Sequence, residues 1–326
     1  MMKRSSTVLG ALVLAATALA AQAQDFPSRP IAMLVPFAAG GPTDIVARSM
    51  AESMSRAMGG AKIVVETAAG AGGTIAPAKV ARSKPDGYTI LIHHIGMSTA
   101  PTLYRKLPFN PLEDFEHIGL INEVAMTLLV KTGMPVSNIN EFLPYLRQNA
   151  AKISLANAGI GSASHLCGML FMSALGTDLV TVPYKGTAPA LADLMGGQVD
   201  LLCDQTTNTI PAIKGGKVRA LAVTSPARLS VLPDLPTLDE VGLKGFSVSI
   251  WHGFYAPKGT PKPVIDRLEA ALKEALKDPS IIKRFADLGT EPVPAEKATP
   301  VALRNHLASE IKRWEPLIKK SGEFAD

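Results

Sequence analysis

Residues Val35 to Arg48, VPFAAGGPTDIVAR, decide how this chain is read. They begin at the end of an apolar strand, Ile31 to Val35, and turn on Gly40 and Gly41. Pro42 suits the first helical position, because the N–H it lacks is one that a helix start leaves unpaired. Thr43 and Asp44 follow in the first turn, where an oxygen acceptor or a negative charge suits the free N–H groups. Beyond them Ile45, Val46, Ser49, Met50, Met54 and Met58 recur at helical spacing. Asp44, Arg48, Glu52 and Arg56 fall four apart on the other face. Strand, glycine loop and amphipathic helix make a junction whose N–H groups can receive an anion, a carboxylate as well as a phosphate. A plain connection that binds nothing has the same pattern, so this stretch sets the architecture before it sets the function.

The first residues give an address. Lys3 and Arg4 precede an almost unbroken apolar run, Val8 to Ala20, which closes at Ala21-Gln22-Ala23. That order predicts a signal peptide over residues 1–23, cleaved after Ala23, and a protein exported to the periplasm. The run is too short to anchor in a bilayer, and no cysteine stands at the cleavage site to carry a lipid. About 300 residues remain, which suggests two domains. Hydrophobic residues make up 47% of the chain, enough for two cores. No run of Lys and Arg interleaves with aromatics, so nucleic acid is not an expected partner. Aromatics at 5% are too sparse for a sugar-binding platform of stacked rings. Cys167 and Cys203 fit no metal spacing. In an oxidising compartment they can pair, or they can stand as two small buried apolar residues; we lean to the unpaired state.

The alternation of elements continues along the chain. Lys62–Glu66 reads as a second strand, and the loop from Ala69 to Thr74 leads to a short helix ending at Ala81. That loop lacks the third glycine and later acid of a dinucleotide fingerprint, so no nucleotide cofactor is expected. Tyr88–Ile92 is a third strand, followed by a loop, His93 to Thr99. Short βα connections of this kind build a parallel sheet covered on both faces, with ligands beyond the carboxyl ends of its strands. The extended run from Glu116 reads as a crossing into a second domain that repeats the pattern. There a helix spans about 139–149, and the strand Ile153–Ala156 runs into Asn157-Ala158-Gly159-Ile160-Gly161-Ser162-Ala163-Ser164-His165. Strands at 180–183, 199–203 and 218–223 follow, the second ending at Asp204. The run from Phe246 to Tyr255 reads as the return crossing, and two amphipathic helices close the chain. The expected fold is α/β. Domain 1 is discontinuous, 24–122 with 246–326, and domain 2 spans 123–245. Two glycine junctions, one per domain, can then close on one anion from opposite sides.

Taken together, these motifs resemble a known family. PSRPI, VPFAAGGPTDIVAR, VVETAAGAGGTIA, SKPDGYTIL, ISLANAGIGSASHL, TVPYKGTAPALADLMGGQVDLLCD and YAPKGTPKPVIDRLEAAL are similar, in order and spacing, to Bug-type receptors. These are the periplasmic solute-binding components of tripartite tricarboxylate transporters. The resemblance covers essentially the whole mature chain. It implies a two-domain periplasmic binding fold, type II-like, with two crossing strands as hinge. It implies a receptor that holds a ligand carboxylate mainly through backbone N–H groups and ordered water of two loops and passes the ligand to membrane transporter subunits; we expect a monomer. The first loop is Phe37 to Asp44, including Gly40, Gly41, Pro42 and Thr43. The second is Asn157 to His165, where Gly159, Gly161, Ser162 and His165 match the family pattern. Tyr184, Lys185 and Asp204 fall where the family lines its cleft. The chain departs from the family after the third strand, where many members carry a small Gly/Ser-rich segment and this one has His93-His94-Ile95-Gly96-Met97. With Ser98 and Thr99, His94 and Met97 are expected to wall the far end of the ligand, and we favour an aromatic or medium-length dicarboxylate such as terephthalate.

Each candidate also has a plainer role. Asp44 would repel an anion, so it is expected to fix its loop rather than touch ligand. Adjacent strand residues point to opposite faces, so of His93 and His94 only one reaches the cleft, and we choose His94. Lys185 can be a solvated surface charge. Gly161-Ser162-Ala163-Ser164-His165 lacks the spacing of a hydrolase elbow and assembles no triad, so no enzyme, metal or cofactor is expected. A receptor that docks on a sensor kinase remains open beside the transport role.

Overall fold

The structure is a computed structural model that describes residues 26–322, 324 and 325. The signal peptide read over residues 1–23 lies outside the described residues. β1 (Ile31–Val35) runs through the glycine loop into α1 (Pro42–Ala57), with Gly41 as N-cap and Pro42 at the first position. Val46, Met50 and Met54 on its inner face are fully buried, and Arg56 pairs with Glu52 at 2.8 Å outside. β2 (Ile63–Thr67), α2 (Ile75–Ala81), β3 (Thr89–His94) and α3 (Gly96–Leu103) follow. β1 lies between β2 and β3, parallel to both.

β4 (Phe115–Val130) is one long strand that belongs to two sets of neighbours. Its first part, Phe115–Ala125, pairs antiparallel with β9 (Ser249–Pro257), which in turn pairs with β3. Its last residues, Met126–Val130, pair with β7 (Leu201–Gln205), and Thr127–Val130 pair with β8 (Arg219–Val223). Before those come α4 (Ile139–Asn149), β5 (Ser154–Asn157), α5 (Ala163–Leu175), β6 (Val180–Pro183) and α6 (Thr187–Met195). β5 lies parallel to both β6 and β7, and α7 (Thr206–Lys214) follows β7 directly. After β9 the chain forms α8 (Lys262–Lys277), α9 (Pro279–Asp287), β10 (Thr290–Pro292) and α10 (Pro300–Ser321). The sheet runs β2-β1-β3-β9-β4-β7-β5-β6, with β8 and β10 also on β4. α8 packs on α1, and α10 on α3 and β4, so the last helices cover the set of strands that the chain built first.

Three differences from the sequence expectation have physical reasons. His93 to Thr99 is not a loop: β3 runs on to His94, and α3 starts at Gly96. Gly, Ser, Thr and Pro are weak helix formers, but Met97, Ser98 and Thr99 are fully buried and burial overrides propensity. Two further helices were not expected. α7 opens on Thr206-Thr207-Asn208-Thr209, a run that reads as turn or strand, and α9 is short and led by Pro279. Cys167 and Cys203 are joined in a disulfide, against the unpaired expectation. A sequence separation of 36 carries no distance information, whereas α5 packed on β7 brings the two Cα atoms to 6.2 Å.

Candidate functional site

The glycine junctions converge where β4 and β9 cross the sheet. Phe37, Pro42 and Thr43 come from the first loop and α1, and His94 from the end of β3. Ala158, Ser162, Ala163 and Ser164 face them from the second loop and α5, with Thr187 at the start of α6 and Asp204 and Gln205 at the end of β7. Together they wall a narrow cavity with about 10 Å³ of free space. Wider grooves open on the surface, one of about 550 Å³ beside β10, but that one includes the exposed Lys297–Glu123 ion pair in its wall.

The chemistry of the walls is unusual for an acidic ligand and informative for that reason. Neither Lys nor Arg is among the lining residues. Four helices begin there instead. α1, α6 and α7 start on Gly41, Gly186 and Gln205 with no side-chain cap among the described residues. Only α5 is capped, by the Ser162 hydroxyl accepting the His165 N–H at 3.2 Å. Uncapped first turns leave N–H groups without an acceptor, and each helix adds about half a positive charge at that end. His94 contributes a neutral donor. Its Nδ1 accepts the Gly96 N–H at 2.9 Å, which leaves the proton on Nε2. Burial holds its pKa well below the ordinary histidine value, with the neighbouring His93 and His252 pushing the same way. The Phe37 ring stacks on His94 at 4.8 Å and fixes its plane.

The loops are fastened to each other as well as to themselves. Asp44 accepts the Gly40 N–H and the Arg48 Nε–H, both at 2.9 Å, so it closes its own loop as expected of it. Asn157 Oδ1 accepts the Gly159 N–H at 2.8 Å. Between loops, Ala38 N–H donates to the Lys185 carbonyl at 3.0 Å, and Thr99 donates its hydroxyl to the Gly161 carbonyl at 3.0 Å. The Tyr104 hydroxyl sits 2.8 Å from the carbonyls of both Ala71 and Ile160. A Cβ on Gly159 would lie 3.1 Å from Gly72 Cα, and one on Gly161 3.3 Å from the Tyr104 ring. Those glycines let loop meet loop.

Of the residues singled out from sequence, Phe37, Pro42, Thr43, His94, Ser162 and Asp204 come together in the cavity wall. Gly40, Gly41, Asp44, Asn157, Gly159, Gly161 and His165 shape the loops around it. Met97, Ser98 and Thr99 turn inward in α3; Ser98 donates to the Ile95 carbonyl at 2.7 Å. Tyr184 donates its hydroxyl to Asp193 at 2.7 Å, away from the wall. Lys185 has an exposed side chain and enters only through its carbonyl. Lys185→Ala is therefore expected to leave ligand affinity within about twofold by calorimetry, since an exposed charge contributes little; a tenfold loss would contradict this placement. Thr187 and Gln205 were missed. Thr187 follows Gly186 as Pro42 follows Gly41, a third glycine-to-helix junction that was legible; Gln205 gave no signal.

Asp204 is the carboxylate in this wall. It is 1% exposed, and burial pushes its carboxyl up to about 6, against hydrogen bonds from the Asn208 side chain and the Gln205 N–H. A raised folded pKa means the folded state holds the proton longer than the unfolded chain. Its stability contribution is full below the unfolded value near 3.8 and is lost as pH rises through about 6. Asp204→Asn, which cannot ionise, should gain roughly 2–3 kcal/mol on the wild type between pH 4 and pH 7.5 in urea titrations; a pH-independent gap would contradict it.

A sheet crossed by two long strands, with helix starts converging on a cavity at the crossing, defines the periplasmic-binding class of ligand-enclosing receptors. Residues 46–323 match the family model described as tripartite tricarboxylate transporter family receptor. The chain is 48% identical over 316 residues to the protein of the TAR-I ttuE-ttuC' intergenic region of Agrobacterium vitis, covering 96% of this chain and 91% of that one. The structure of the periplasmic binding protein BugD superposes with a TM-score of 0.90 at 54% identity, covering 92% of this chain and 100% of that one. MatC from Rhodopseudomonas palustris, solved with bound malate, gives 0.87 at 40% identity, covering 90% and 100%. The chain belongs to the tripartite tricarboxylate transporter receptor family.

Proposed function

We propose that this chain is an exported periplasmic receptor that encloses a short dicarboxylate and presents the closed form to membrane subunits of a tripartite tricarboxylate transporter. One observation carries the reading: uncapped helix starts converge on a buried cavity whose wall holds no Lys or Arg. Such N–H groups bind a carboxylate without ordering long side chains. The lobes we assign are residues 24–122 with 246–326 and residues 123–245, with β4 and β9 as the hinge. A ligand touching both lobes stabilises the closed arrangement through its contacts on the second one.

Phe37 stacks on His94 within the cavity wall. The malate held by MatC favours a short aliphatic dicarboxylate over terephthalate. A thermal-shift screen of the mature protein tests the proposal, because a ligand of the native state alone raises the melting temperature. Short dicarboxylates should give the largest shift and terephthalate little. No shift with any carboxylate would remove the reading.

A further inference from the structure

His94, His252 and Asn122 lie side by side across β3, β9 and β4. Behind them a hydrogen-bonded chain has a single consistent direction. Thr290 Oγ1 lies 2.6 Å from the Glu123 carbonyl and must donate to it. It then accepts from Asn122 Nδ2 at 3.1 Å, which turns Asn122 Oδ1 toward His252. His252 Nδ1 lies 2.9 Å from that oxygen and must carry the proton. The imidazole is buried and neutral, its pKa lowered to about 3 by burial and by His93. Its bare Nε2 can only accept, and the Thr43 hydroxyl, 3.2 Å away, is the donor. Thr43 has spent its one proton on the hinge, so toward the cavity it offers only lone pairs. Asp204 adds a second acceptor: its oxygens take the Gln205 N–H, the Asn208 Nδ2–H and the Thr187 hydroxyl, and a carboxylate's four lone pairs leave one free. Both residues line the cavity.

We infer that His252, held by Asn122 and Thr290, is a positioning residue that makes the Thr43 hydroxyl an acceptor, and that Thr43 and Asp204 select a dicarboxylate bearing a hydroxyl or ammonium donor. The inference rests on the dicarboxylate reading of the cavity. An unsubstituted dicarboxylate brings acceptors only and leaves both groups unmatched, and a site built to pair a ligand donor discriminates against the analogue lacking it.

Calorimetry of the mature protein at pH 7.5 with malate, aspartate and succinate, which share one backbone length, tests this. At least one of malate and aspartate should bind tenfold or more tighter than succinate, and which one does identifies the donor as hydroxyl or ammonium. Succinate matching both overturns the inference alone; binding of none of the three overturns it together with the dicarboxylate reading. Thr43→Val should shrink the preference at least threefold, and an unchanged preference counts against Thr43. Nitrogen-15 NMR of the histidine rings reads the positioning role in the unaltered protein. His252 should show protonated Nδ1 and bare Nε2 with ligand bound, and protonated Nε2 would overturn the role.

Discussion

Gly72→Val is expected to lower ligand affinity by roughly a hundredfold, about 2.7 kcal/mol, while the chain still folds. Gly72 lies in the short 3-10 turn before α2, with φ +57°, and its Cα faces the second loop. A Cβ there would fall inside the radius of the Ile160 carbonyl oxygen and beside the Tyr104 hydroxyl that bridges the two loops. Neither can retreat cheaply, because one is backbone and the other is fixed on both sides. The loops must part, and a ligand that gains its second set of contacts only on closure loses them. Gly60→Val is the control. Gly60 also has positive φ, at 88°, but a Cβ there meets nothing within 4 Å. It reports the backbone cost without the crowding, so its affinity should stay within threefold. Equal affinity for the two variants in calorimetry would show that loop contact does not govern binding.

Removing the disulfide should have the largest effect on stability. Cys167 on α5 and Cys203 on β7 are both fully buried, and the bond closes a loop of 36 residues. Loop-closure entropy for that length corresponds to about 3–4 kcal/mol. Cys167→Ala with Cys203→Ala should lower the melting temperature by roughly 5–6 °C. The bond ties the helix capped by Ser162 to the strand that ends at Gln205, so both cavity-facing ends are held by one covalent link. Dithiothreitol should reproduce the loss slowly, because neither sulfur is exposed. A melting temperature within 2 °C of wild type would contradict the assignment.

The fold was legible where hydrophobic period and punctuation agreed. β1, the glycine turn and α1 came out with their bounds because strand, Gly40-Gly41 and Pro42 each mark one boundary. The long apolar run of β4 announced a strand buried on both faces. α3 and α7 were hidden because Gly, Ser, Thr, Asn and Pro make poor helices until burial decides the matter. Half of the cavity wall was legible for the same reason as the fold: glycine-to-helix junctions mark where N–H groups are free. Thr187 belonged to that pattern and was passed over. His252 could not be found this way, because its role depends on the pairing of β9 with β4 and on the bulge between Leu120 and Asn122, which place Asn122 opposite it. The cysteine pair was likewise invisible, since only packing of α5 on β7 sets the distance.

The central claim is that a carboxylate is held by peptide N–H groups of converging helix starts. A crystal structure of the mature protein grown with a short dicarboxylate tests it most directly. Carboxylate oxygens should lie about 2.7–3.2 Å from first-turn N–H groups of α1 and of α5 or α6, with no Lys or Arg side chain in contact. A carboxylate paired with a Lys or Arg side chain, or seated in the groove beside β10, would contradict the account.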